Sequence, residues 1–466
     1  MFGLSKEKPV RWLHLPIEKR VREFDARLLL GCCAVDRGYK VILGKKNSMS
    51  RSYPELPRGI IFERSLLAAR EEEFARLVSQ GFHLSGMDEE SIFFYKHPDT
   101  ALQIRISANN LEIFDWYLCW GKGQEDLIRK AFPKHMDKVI TTGTYRNDLY
   151  RKEFNVYWDD TIAQLREQYG RIILFPSNFT MAINARGGRD FVMNVLSKHG
   201  AVSSKEDRAF FEDKLDHEMR AFVAYKSVFK KVREAFPDHQ IILRHHPGED
   251  PAIWEEIARN DTGITAIHEG PILPWLAASD AVFHHGCSTG FEAFIMDKPS
   301  IPYHPVYDEK FDSHLSTQIG PIAHTPEKLI EFLQLAIDGE PLPRGDLSWL
   351  DNYMNIPDGL SSDLIIDAFD KVTMKLGRER SLSRQPAAIK LAVQGWCTRM
   401  TRKVKRNIGK PVSPTISTQQ WGYLSRQDVQ DKVHALDRAT GRFAGIKVKK
   451  LRGQMFMLYK GDASTS

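Results

Sequence analysis

REFDARLLLGCCAVDRG, residues 22–38, is the stretch whose reading decides the fold. Its apolar residues are spaced for one helix face, and Gly38 stands where a helix takes its C-cap. Short apolar runs flank it, Val10 to Leu15 before and Tyr39 to Leu43 after. Strand, helix and strand in about thirty residues form the βαβ unit of a parallel sheet. Further candidate strands follow at Gly59 to Glu63, Phe82 to Ser85, Trp116 to Trp120 and Lys138 to Thr142. A second cycle opens at RIILFPSNF (171–179). It continues through HQIILRHHP (239–247), GITAIHEG (263–270), DAVFHHG (280–286) and PSIPYHP (299–305), with helical segments such as PAIWEEIARN between them. The expected class is α/β with two domains, 1–155 and 156–375, followed by a basic helical tail over 376–466. Residues 180–235 exceed a normal connection and read either as a mobile cover or as a surface excursion.

A chain of 466 residues with 42% hydrophobic and 27% charged residues fits two or three soluble, globular domains. Its longest strictly apolar run, Leu28 to Val35, falls far short of the roughly 20 residues a spanning helix needs. The N-terminus lacks the apolar core of a secretory signal, and five cysteines without C-x-x-C spacing suit a reducing compartment, so a cytoplasmic location is expected. Charge is segregated: residues 371–466 carry 21 Lys and Arg against 5 Asp and Glu, leaving 45 against 55 for residues 1–370. Within that tail, residues 386–409 put Ile389, Val393, Trp396, Met400 and Val404 on one helix face and Arg399, Arg402, Lys403 and Arg406 elsewhere. Such a helix either lies on an anionic membrane surface or packs its stripe on the body. Nucleic acid is not an expected partner, because aromatic residues are sparse among the basic ones and no recognition module is present.

Several signatures are missing: no D-x-D, no H-E-x-x-H, no completed P-loop and no G-x-G-x-x-G. What remains lies at strand ends. In FHHGCSTGFEA (283–293), a strand releases His284 and His285 into a small-residue turn, and Ser288, Thr289 and Gly290 open a helix. Backbone N–H groups, two hydroxyls and the helix dipole there suit a phosphate, with Glu292 able to accept from ribose hydroxyls. The plainer reading is a capped helix whose Glu292 complements the dipole. In LRHHPGEDP (243–251), Arg244, His245 and His246 end a strand and Pro247 stops the ladder, which suits donation to a phosphate oxygen. Parallel sheets bind ligands outside their carboxyl ends, so two such ends in one sheet reinforce each other. GMDEES (86–91) crowds Asp88, Glu89 and Glu90, enough to raise one carboxylate as a general base requires, or else it is a solvated acidic turn.

Together LRHHPGED, FHHGCSTGFEAFIMDKPSI, GMDEES, REFDARLLLGCCAVDRGYKVILG and WYLCWG resemble the bacterial surface carbohydrate biosynthesis proteins. These are similar in turn to GT-B glycosyltransferases that use CMP-activated sugars, including sialyltransferases and capsule Kdo transferases. The likeness spans residues 10 to 370. It implies two Rossmann-like domains facing across a cleft, the first for the acceptor and the second for the nucleotide. It further implies transfer of a sugar such as Kdo or another ulosonic acid to a surface polysaccharide or glycolipid; peripheral attachment to the inner face of the cytoplasmic membrane is expected from the basic tail, which the likeness leaves uncovered. The donor is a substrate; no cofactor and no metal is expected. Carried over, the base role falls on Glu89 or Asp88. Phosphate contact falls on His246 with Pro247 and on Ser288 with Thr289, among nucleotide-binding candidates that also include Arg244, His285, Gly290 and Glu292. The acidic turn departs from the family pattern, since no glycine follows its acidic pair. The alternatives are a CDP-glycerol-type polyol-phosphate transferase and a non-catalytic nucleotide-binding scaffold.

Overall fold

A computed structural model describes residues 10–89, 102, 105–198, 201, 202, 204–312, 315–344, 347–376 and 421–461. The chain forms two compact α/β units, one from residues 1–149 with 348–466 and one from residues 150–347. Both are Rossmann-like: a mainly parallel sheet with helices against it.

The first sheet contains β1 (Arg11–Ile17), β2 (Tyr39–Lys45), β3 (Ile60–Glu63), β4 (His83–Met87), β5 (Trp116–Cys119) and β6 (Val139–Thr141). All six are parallel, ordered β2-β1-β3-β4-β5-β6, with Leu13 opposite Val41 on one side and Ile60 on the other. The Arg20–Asp36 helix joins β1 to β2, and Gly38 adopts φ +86° as it turns back. One helix face was expected to be apolar, yet every residue from Ala26 to Val35 is buried. The reason lies far along the chain: the Ser361–Leu376 and Arg426–Thr440 helices pack on the side away from the sheet.

Residues 348–376 therefore belong with the first unit, not with the second as the expected division at 375 had it. Asp148 fixes this return by accepting from Ser361 N (2.8 Å), Ser362 N (2.9 Å) and Ser362 Oγ (2.6 Å). The expected tail is likewise part of that unit over its last forty or so described residues. A hairpin of β12 (Ile446–Lys450) and β13 (Met455–Lys460) extends the first sheet, with β13 antiparallel to β2 and Leu458 opposite Val41. Ile446 and Val448 face inward while Lys447 and Lys449 stay exposed, the period-two pattern of a strand with one wet face. The 386–409 helix lies outside the described residues, as does Glu90.

The second sheet is wholly parallel and ordered β11-β10-β7-β8-β9, from β7 (Arg171–Pro176), β8 (His239–Arg244), β9 (Ile264–Ile267), β10 (Ala281–His284) and β11 (Ser300–Pro302). The order reverses between β7 and β10. The 180–235 stretch is neither a mobile cover nor a surface excursion. It carries the Lys205–Ala235 helix, whose Ala221, Phe222, Tyr225, Val228, Phe229 and Val232 enter the same core as Phe175, Trp254 and Phe283. Their spacing of three and four is that of one helical stripe. Among the described residues no helix is long and apolar enough to cross a membrane.

Candidate ligand site at the carboxyl edge of the second sheet

Open parallel sheets take ligands outside their carboxyl ends, at the point where strand order reverses. In the second unit that point lies between β7 and β10, with β8 the next neighbour of β7. Val282 is level with Leu174, and Leu174 with Ile242, so the chain leaves β10, β7 and β8 at one height. The loops at 286–290 and 245–250 thus start two strand spacings apart, about 10 Å, a span that two side chains and one phosphate fill.

The β8 loop is held from below. Buried Glu249 accepts from Trp254 Nε1 (3.0 Å), His246 N (3.2 Å), Phe179 N (2.5 Å) and the Ser177 hydroxyl. Burial pushes its carboxyl upward, against the pull of those hydrogen bonds. Ser177 Oγ also accepts from His246 N at 2.9 Å. This clamp presents an exposed imidazole: Gly248 N donates to His246 Nδ1 at 3.1 Å, which leaves the neutral ring's proton on Nε2. Gly248 has to be small, because a Cβ there would sit 2.8 Å from Thr180 Cγ2. Pro247 is exposed beside it. Arg244 is otherwise engaged. Its guanidinium donates to the carbonyls of Glu269 (2.6 Å) and Gly270 (3.0 Å) and lies over the Trp275 ring, and burial holds it down at about 10. Its part here is to fasten the loop after β9.

At the end of β10, Gly286 turns the chain at φ +57°. Ser288 is exposed and makes no side-chain cap, while Thr289 is buried and receives the Cys287 thiol at 3.4 Å. Gly290 admits no side chain, since a Cβ would come within 2.6 Å of His284 Nε2. Glu292 accepts from Tyr150 OH at 2.7 Å. His285 does not join this surface: its ring is buried, stacked on Phe179 at 4.9 Å and 4.8 Å from the His304 ring.

The acidic turn belongs to the first unit, directly after β4. Crowding was expected to raise one carboxylate of this turn; Glu89 is lowered instead. Burial alone would raise it, but the charges of Arg27, Arg64 and Arg146 outweigh burial and hold it at about 2. It is gripped by Arg27 Nη2 (2.8 Å) and the Tyr145 hydroxyl. Arg27, itself fully buried, also donates to Phe62 O (2.9 Å) and Tyr145 OH (3.2 Å). Asp88 is buried too and accepts from Arg105 Nε at 2.7 Å.

Sequence reasoning overlooked Glu249, Ser177 and Glu218. Glu218, on the Lys205–Ala235 helix, accepts from Met181 N (2.9 Å) and Ala182 N (3.0 Å), and burial raises it to about 7 despite those bonds. Nothing in a charged helical pattern marks one glutamate among several as the one that turns inward.

Fold and site together define a protein of two Rossmann-like units whose second sheet presents an ordered histidine loop and a glycine-bounded turn at its switch point. No family model and no curated protein matches the chain. Among solved structures it is similar to the wall teichoic acid polymerase TagF (13% identity, TM-score 0.45, 80% of this chain and 90% of that one). It is also similar to UDP-GlcNAc 2-epimerase from Methanocaldococcus jannaschii (10%, 0.46, 77% and 99%) and from Neisseria meningitidis (10%, 0.45, 79% and 99%). Likeness at these scores transfers no residue role and no reaction to this chain.

Proposed function

We propose that the protein is a GT-B-type transferase that takes a sugar from a CMP-activated donor, an ulosonic acid such as Kdo or a sialic-acid relative, to a hydroxyl of a surface polysaccharide or glycolipid. The observation that carries the reading is the clamped loop: a buried glutamate accepts four hydrogen bonds to hold one exposed histidine beside the switch point of a parallel sheet. Backbone order of that kind around a solvent-facing imidazole serves a ligand better than it serves stability.

In this reading His246 Nε2–H donates to the departing CMP phosphate, Pro247 stiffens the loop, and Ser288 with the amides of 288–290 accommodates the same group. Losing one such donor raises the barrier by roughly 3 kcal/mol. Thr289, Gly290 and Glu292 shape the turn, and Arg244 secures the neighbouring loop. The base role in this reading stays with the acidic turn, on Glu89 or Asp88, each of which is buried and paired with an arginine. One phosphate leaves rather than two, so the transfer itself calls for no metal.

Calorimetry with CMP tests the nucleotide site. The expected result is binding weakened at least tenfold in His246→Ala and Ser288→Ala, and equal affinity in all three proteins refutes it. A screen of CMP-Kdo, CMP-sialic acid and CDP-glycerol, read by nucleotide release, then separates the chemistries. A phosphodiester product identifies a polyol-phosphate transferase, and nucleotide binding without turnover of any donor identifies a scaffold.

A further inference from the structure

Below the proposed nucleotide surface, and independent of it, lies a cluster that the transferase reading does not use. His285 follows β10, His304 follows β11, Asp312 ends the short Glu309–Asp312 helix, and His217 comes from the Lys205–Ala235 helix. All four are buried, at 7%, 1%, 5% and 2% exposure. Asp312 Oδ1 lies 3.8 Å from His285 Nε2 and 3.7 Å from His304 Nδ1. These distances are too long for hydrogen bonds, and among the described residues neither ring nitrogen has a hydrogen-bond partner.

The rings are held in place by their surroundings. The Thr317 hydroxyl lies 3.3 Å from His304 Nε2 and donates to Asp312 O at 3.2 Å, which leaves His304 Nδ1 turned toward the carboxylate. A cation held among the three side chains gives both ring nitrogens a partner and matches the carboxylate's charge.

We propose that His285 Nε2, His304 Nδ1 and Asp312 Oδ1 bind one divalent transition ion of the zinc class, with a fourth position left to water. One ligand atom from each of the three residues lies within 4.8 Å of the other two. Ligands at about 2.0–2.2 Å in a tetrahedron stand about 3.4 Å apart, so the two measured separations close by a few tenths of an ångström. Two imidazoles with one carboxylate suit zinc, cobalt, nickel or iron(II), whereas magnesium and calcium prefer oxygen donors. The outer partners are already in place: His217 Nε2–H donates to Asp312 Oδ2 at 2.7 Å, Asp308 N donates to the same oxygen at 2.9 Å, and the Thr317 hydroxyl lies beside His304 Nε2. Such partners orient ligands and typically govern metal affinity by 10–100-fold.

The test uses the full-length chain without a polyhistidine tag, stripped with chelator and titrated with zinc against a chromophoric competitor. One tight equivalent is expected, weakened at least 100-fold in His304→Ala and Asp312→Asn and about 10–100-fold in His217→Gln. Magnesium should not compete. The zinc-loaded wild-type protein should show two imidazole nitrogens and oxygen at about 2.0–2.1 Å by X-ray absorption, a readout that stands even if a variant does not fold. Absence of a tight equivalent, sulfur ligation, or affinity unchanged in a folded His304→Ala or Asp312→Asn variant overturns the proposal.

Discussion

Glu218 shows how much a single half-buried carboxylate can weigh. Its folded value of about 7 stands above its ordinary 4.5, so the native state keeps a proton that the unfolded chain has released. Its contribution is complete below about 4.5 and is lost as pH rises through 7. Glu218→Gln keeps an acceptor for the amides of Met181 and Ala182 and removes that loss. Denaturant unfolding should therefore show the variant gaining on the wild type between pH 5 and 8, by at most about 3 kcal/mol, and parallel pH profiles would refute the assignment. Glu89 has the opposite sign. Held at about 2, below its ordinary 4.5, it stabilises the fold above 4.5 and ceases to do so as pH falls toward 2. Arg27→Ala leaves that carboxylate buried and unpaired with respect to its guanidinium. It should cost about 3–5 kcal/mol by urea titration at pH 7, with part recovered in Arg27→Met combined with Glu89→Met.

Elements differ in how openly the sequence announces them. The eleven parallel strands are readable because strands buried on both faces are short continuous apolar runs, such as IILF after Arg171 and VIL after Lys40, closed by polar or glycine residues. The Ile446–Lys460 hairpin is not, because IKVKK reads first as positive charge and only second as alternation. The site divides in the same way. His246, Ser288 and Gly290 are legible, since proline and glycine punctuate both strand ends, whereas Glu249 sits in a PGED turn that looks solvated and accepts its bonds from residues about seventy positions back and five ahead. His217, His304 and Asp312 are scattered over almost a hundred residues and share no spacing. The hairpin yields its own expectation. Phe456 and Leu458 are fully buried against the first unit, and removing 446–461 uncovers the whole pairing edge of β2. A chain ending at 445 should self-associate in sedimentation, while a monomer of unchanged stability would show that the hairpin is dispensable.

At the scale of the whole molecule the segregated charge has two separate fates. Part of the C-terminal excess is matched within the first unit: Arg442 pairs with Asp363 and Asp36, Lys432 with Asp25, and Arg452 with Glu55. Residues 377–420, which lie outside the described structure, carry ten Lys and Arg against a single Glu. Within them, 386–409 pairs that charge with an apolar stripe through Ile389, Val393, Trp396, Met400 and Val404. Matched charge offers little to a membrane, whereas this stretch carries its basic excess nearly unopposed and joins it to an apolar stripe in the sequence. Each basic residue close to such a surface contributes about 1 kcal/mol, and the interaction fades over a Debye length of about 8 Å at physiological salt. Replacing Arg399, Arg402, Lys403 and Arg406 with Gln leaves every ion pair named above intact. That variant should lose flotation with phosphatidylserine vesicles by a factor of ten or more, and the wild type should lose it in 0.5 M salt. Neither protein should float with purely zwitterionic lipid. If the substituted protein floats as well as the wild type, the basic stretch has another use and the proposed attachment to the inner leaflet falls.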